Sequence, residues 1–167
     1  MKKLIYFGII ICVLLCSCKR PEQYSDIPEI KLISFEKYQD DKVADGALLV
    51  FYFQDGEGDI GLFDNEKDPP YDFNFFCDYY EKQHGVFVKT DSVETPDGMK
   101  PFNLNARIPR LTKLPEESIN GEISLIMTPY YDKSSPYNDT IQIQFHIVDR
   151  KLNKSNVEIA GMIRSNE

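Results

Sequence analysis

The chain reads as all-β, an Ig-like or fibronectin-like antiparallel β-sandwich of seven to eight strands. Three observations predict this. Apolar residues recur at every second position in short segments. Polar turns rich in Gly, Pro, Asn and Asp separate those segments. No stretch shows the i, i+3, i+4 apolar spacing of an amphipathic helix. With 167 residues, 42% hydrophobic and 28% charged, the chain is too short for two full-sized domains and too apolar for a disordered tail. Its net charge of −8 makes it a poor partner for nucleic acid phosphates or anionic lipid head groups.

The strand signals follow in order at 29–38, 47–54, 73–81, 85–90, 101–109, 121–128, 139–149 and 156–163. The clearest is 139–149, where Ile141, Ile143, Phe145 and Ile147 alternate with Gln142, Gln144 and His146. A period of two with one apolar face is a half-buried strand. Phe102, Leu104, Ala106 and Ile108 alternate likewise within 101–109. Phe73, Phe75, Cys77 and Tyr79 share one face of 73–81, which turns Cys77 inward. Gln83-His84-Gly85 suits a hairpin, while Pro96-Asp97-Gly98, Asn120-Gly121 and Ser134-Ser135-Pro136 suit loops.

Ahead of the strands, Met1-Lys2-Lys3 precedes an apolar run from Leu4 to Leu15. That run is shorter than the roughly twenty residues a membrane-spanning helix needs, and it matches an export signal. Leu15-Cys16-Ser17-Cys18 resembles the lipobox of bacterial lipoproteins. The resemblance implies that residues 1–17 are a signal peptide and that Cys18 becomes the acylated first residue, holding the protein to a membrane. Each buried methylene contributes about 0.8 kcal/mol, so two or three acyl chains make a firm tether. Loss of Lys2 and Lys3 takes the net charge from −8 to −10. Cys77 is then the one thiol left, and no internal disulfide is available. Residues 18–28 read as an extended tether and 29–167 as one sandwich domain. Surface-exported lipoproteins of the Bacteroidota carry acidic residues after the Cys; Lys19 and Arg20 here favour the periplasmic face of the outer membrane over the cell surface.

One segment has the look of chemistry: Asp55-Gly56-Glu57-Gly58-Asp59-Ile60-Gly61. Its glycines match G-x-G-x-x-G, but Glu57 and Asp59 would repel a pyrophosphate, and Asp68-Pro69-Pro70 follows where a helix is required. Carboxylates at alternate positions instead offer hard oxygens to Ca²⁺. Glu66 stands twelfth from Asp55, as in an EF-hand loop, but Ile60 occupies the position that needs Gly. In a sandwich, the loops after 47–54 and 139–149 leave at the same end, bringing Asp149 and Asn153 toward the acidic loop. The candidate Ca²⁺ ligands are Asp55, Glu57, Asp59 and Asp149. The competing reading is that Asp and Gly serve only the turn, with Arg150 and Lys151 neutralising the carboxylates.

Two patches, Phe51-Tyr52-Phe53-Gln54-Asp55-Gly56-Glu57-Gly58-Asp59-Ile60-Gly61 and Val148-Asp149-Arg150-Lys151-Leu152-Asn153-Lys154-Ser155-Asn156, resemble recurrent segments of small Bacteroidota lipoproteins. That family has F-x-D-G-D-G-D-I-G early and D-R-x-x-N-x-S-N near the end. The resemblance implies an Ig-like or fibronectin-like domain in the envelope, without an assigned activity.

Nothing in the sequence points to catalysis. His84 and His146 lie in no metal-binding spacing, and Cys77 has Asp78 beside it rather than an activating cation. Tyr71, Tyr79, Tyr80, Tyr130, Tyr131 and Tyr137 suit either the filling of the sheets or a contact surface for an envelope protein or a glycan. The expected role is a non-enzymatic binding or structural module, with a Ca²⁺-dependent binding domain as the alternative.

Overall fold

A computed structural model describes residues 24–39, 46–111, 117–133 and 135–164. The signal segment, Cys18 and the first part of the tether lie outside the described residues. Among those described there is no helix. The strands are β1 (Glu29–Tyr38), β2 (Gly46–Asp55), β3 (Phe75–Gln83), β4 (Val86–Thr90), β5 (Ser92–Thr95), β6 (Gly98–Pro101), β7 (Ile119–Met127), β8 (Thr140–Ile147) and β9 (Glu158–Ile163).

Seven strands form two antiparallel sheets in the orders β1-β2-β7 and β4-β3-β8-β9. In Ig lettering these are A-B-E against C′-C-F-G, a fibronectin-like β-sandwich. Where a sandwich strand was predicted, its ends fall within two residues of the expected ones. The period of two explains why. Ile141, Ile143, Phe145 and Ile147 are all fully buried, as are Ala47, Leu49 and Phe51 on the facing sheet. Phe51 meets Phe75 and Phe145 across the interface, with ring centroids 6.0 and 5.4 Å apart. These three rings form the centre of a core that has no tryptophan. Cys77 is buried and free, and burial pushes its thiol up to about 12, where it is inert. Tyr79, Tyr130 and Tyr131 belong to the core, so half of the tyrosines weighed as a contact surface are sheet filling.

Two expectations fail locally, and one expected turn proves to belong to an unforeseen hairpin. Residues 101–109 do not form a regular strand, although Leu104 and Ile108 are buried as the alternation predicts. Isolated backbone bridges, Ala106 to Phe75 and Pro109 to Leu62, and side-chain hydrogen bonds stand there in place of a continuous ladder. Asn74 accepts from the Ile108 N–H at 2.6 Å and donates to its carbonyl at 3.1 Å, and Arg107 is held by the carbonyls of Tyr71, Asp72 and Phe63. The Pro96-Asp97-Gly98 loop is the turn of a small hairpin, β5–β6, whose strands are too short and exposed to signal themselves. Asn120-Gly121 is no loop but part of β7, opposite Gln54 and Phe53. An Asn-Gly turn needs positive φ. Gly121 is not in that region; it lies in the strand beside the Phe53 ring, 3.4 Å from where a Cβ would stand, an ordinary contact distance. The hairpin at Gln83-His84-Gly85 is as expected, with φ of 52° and 89° at His84 and Gly85.

The aromatic centre generates a prediction. Phe51→Ala removes the ring that spans the sheets and should cost about 3–5 kcal/mol, read as a lower urea midpoint with an unchanged slope. A surface change such as Lys67→Ala should move it little.

Candidate metal centre

The inward row of β2 runs Ala47, Leu49, Phe51, Phe53 and then Asp55. The inward row of β8 runs Ile141, Ile143, Phe145, Ile147 and then Asp149. Both rows end in aspartate at the same pole of the sandwich. Asp55 and Asp149 are 0% and 1% exposed. Asp59 joins them from the β2–β3 connection, and one carboxylate oxygen from each of the three lies within 4.8 Å of the others.

The glycines make the local path. Gly58 has φ of 62°, and a Cβ on it would stand 2.0 Å from the Glu117 carbonyl oxygen. Any side chain is excluded on both counts. The loop then turns back on Asp55, whose Oδ2 accepts the Asp59 N–H at 2.9 Å. Across the cluster, Asp149 accepts both the backbone N–H and the side-chain amide of Asn153, at 2.8 and 2.9 Å. Asn153 thus arrives at this pole as predicted, as a donor to Asp149.

Charge at the site is unevenly compensated. Lys151 pairs with Glu57, and Arg150 pairs with Glu66 at 2.5 Å while lying over the Phe63 ring. The two cations expected to neutralise the loop therefore go to its glutamates. Glu57, counted among the candidate ligands, is turned to Lys151 and stands outside the three-aspartate cluster. Buried Oδ1 atoms of Asp55 and Asp59 have no hydrogen-bond partner, and neither does Oε2 of Glu57, whose other oxygen takes Lys151. Burial, with Asp59 and Asp149 nearby, raises the Asp55 carboxyl to about 6. Asp59 is raised too, by burial first and then by Asp149 and Glu57.

A second buried carboxylate at the opposite pole gives the contrast. Glu81 continues the inward row of β3 and is 1% exposed. It accepts the Tyr79 hydroxyl at 3.0 Å on one oxygen and the Ser135 hydroxyl at 2.5 Å on the other. Its burial is satisfied from within the protein, as buried polar groups normally are. That of Asp55 is not.

Sequence reasoning missed Glu81, although the alternation of β3 places it inward. It also missed the structural duties within 149–156. Ser155 exchanges hydrogen bonds with the backbone of Ile147, and the Asn156 amide binds both the N–H and carbonyl of Ile30 at 2.8 Å. Tyr24 and Ser25, at the end of the predicted tether, lie against the acidic loop, where the Gly56 N–H donates to the Ser25 carbonyl at 2.7 Å.

No family model matches the chain, and no curated protein or solved structure is significantly similar to it. The arrangement is therefore read from its own chemistry. The donors are carboxylate oxygens without nitrogen or sulfur, the set preferred by hard cations such as Ca²⁺ and Mg²⁺ and not by Zn²⁺. The three aspartates stand close enough together to share one such ion.

The raised Asp55 carboxyl has a defined pH consequence in chelator. The folded state takes up the Asp55 proton more readily than the unfolded chain. Its favourable contribution is complete below the ordinary carboxylate range and is lost as pH rises through about 6. In EDTA, the wild type should lose more stability between about pH 4.5 and 7.5 than Asp55→Asn, as read by urea midpoints. Parallel pH profiles for the two proteins would contradict this.

Proposed function

We propose that this chain is a lipid-anchored, non-catalytic module of the cell envelope whose fibronectin-like sandwich is organised at one pole by Ca²⁺. One observation carries the cation: Asp55 Oδ1, on a fully buried side chain, has no partner and belongs to a carboxylate that faces two others. Leaving such a group ionised and unpaired costs several kcal/mol. A divalent cation removes that cost and supplies what Lys151 and Arg150 do not, since both are engaged by glutamates. Asp55, Asp59 and Asp149 would hold the ion. Water can complete the six to eight oxygen ligands that Ca²⁺ takes.

Support for the anchor comes from the sequence, through the lipobox-like Leu15-Cys16-Ser17-Cys18. The module would act by binding or by holding position, with an envelope protein or glycan as its partner. In this reading the cation sets the shape of the β2–β3 and β8–β9 loops, the surface such a partner would meet.

Two experiments test these parts separately. Ca²⁺ at about a hundred times its dissociation constant adds about 2.7 kcal/mol, which for a domain of this size raises the melting temperature by roughly 5–10 °C. Calorimetry should show that rise in the wild type and not in Asp59→Ala; a wild-type melting curve unchanged by millimolar Ca²⁺ rejects the cation. For the anchor, radiolabelled fatty acid should enter the wild type and not Cys18→Ala. Label persisting in the variant rejects Cys18.

A further inference from the structure

The chain enters the sandwich at the pole that holds the aspartate cluster. Gly56 in the acidic loop donates to Ser25 at 2.7 Å, and the Tyr24 hydroxyl accepts from the Asn120 amide at 2.9 Å. Tyr24 is six residues along the chain from Cys18, with five between them, and extended chain spans at most about 3.6 Å per residue. An acylated Cys18 therefore keeps Tyr24 within roughly 22 Å of its lipid. The other pole, with the His84-Gly85 hairpin, lies a strand length further off, about 30 Å for the ten residues of β2.

We propose that the aspartate-bearing pole faces a phospholipid surface, with Leu152 as its apolar contact. The inference rests on the reading of Cys18 as the acylated residue. Leu152 stands in the β8–β9 loop, 50% exposed, with φ of 67°. A bulky residue in the left-handed region is an outlier, and such strain persists where the surroundings over-determine it. Here the Leu152 N–H donates to the Asp149 carbonyl at 3.2 Å, and the Asp149 N–H donates to the carbonyl of Asn153 at 3.1 Å. The loop thus holds a leucine out to solvent by the same turn that positions a cluster aspartate. Ile27, just behind the docked tether, and Phe63, beneath Arg150, are also exposed large apolar residues of this pole.

The point of attachment supports a lipid surface as the occupant. Lys19 and Arg20 follow Cys18 directly, while Lys151, beside Leu152, is engaged by Glu57. Exposed apolar side chains such as Leu152 and Ile27 suit the boundary between acyl chains and headgroups. A short tether also keeps that boundary the nearest large surface, which a diffusing partner is not.

The absence of tryptophan makes the test clean. Leu152→Trp, Ile27→Trp and Val86→Trp, each in the full-length acylated protein, carry a single reporter; Val86 begins β4 at the far pole. The proteins are reconstituted into vesicles of phosphatidylethanolamine and phosphatidylglycerol containing bromine-labelled phosphatidylcholine. Quenching at 152 and 27 should exceed that at 86 severalfold. The Ile27 variant serves if tryptophan at 152 prevents folding. Equal quenching at all sites, or stronger quenching at 86, with the protein still floating with the vesicles, overturns the orientation and leaves the anchor standing. Protein that does not float with the vesicles overturns both.

Discussion

Strand alternation carries the core to its end and then places charge there. In β2 and β8 the inward rows are apolar for four positions, and the fifth is Asp55 or Asp149. Neither aspartate can turn to solvent without moving Phe51, Phe53, Phe145 or Ile147 out of the core, since a slip of one residue exchanges the two faces of a strand. The hydrophobic packing that closes the sandwich therefore drives two carboxylates together. The connection after β2 adds Asp59, and the cluster is a consequence of the fold rather than an ornament on its surface.

That same alternation explains what was legible in the sequence. Six of the seven sandwich strands could be placed because each has a buried row, while the exposed β4 was legible only from the His84-Gly85 turn before it. The meeting of Asp55, Asp59 and Asp149 followed from loops leaving the sandwich at one end. Legibility failed where isolated bridges and side chains stand in for a continuous ladder. Residues 101–109 keep the alternation of a strand, but Ala106 and Pro109 make single bridges to Phe75 and Leu62, and the Asn74 amide binds both the N–H and the carbonyl of Ile108. Asn120-Gly121 reads as a turn by composition, and only pairing with Gln54 and Phe53 shows that it lies within a strand. Glu57 could not be separated from the aspartates by spacing alone. What separates it is Lys151, which no local pattern brings near.

The two buried carboxylate sites show the two outcomes open to a charged group taken out of water. Glu81 finds the hydroxyls of Tyr79 and Ser135 and needs nothing further. Asp55 accepts the Asp59 N–H on one oxygen and keeps the other bare, with two more carboxylates close by. Cations are not scarce at this pole: Arg110, Arg150 and Lys151 all stand near. Their partners are nonetheless the Ile60 carbonyl, Glu66 and Glu57. The protein neutralises the rim of the cluster with its own side chains and leaves the interior to a proton or an external ion.

The segment from Asp149 to Asn156 joins this electrostatic problem to the architecture. Asp149 belongs to the cluster, Asn153 orients it, Ser155 holds the end of β8, and Asn156 reaches across to the edge of β1 at Ile30. On the other side of the cluster, Gly56 binds Ser25 just upstream of β1. The first strand is thus gripped on both sides by the loops that present the aspartates. Whatever neutralises Asp55 acts where the chain enters the sandwich, so the stability of the cluster and the seating of β1 are one mechanical problem.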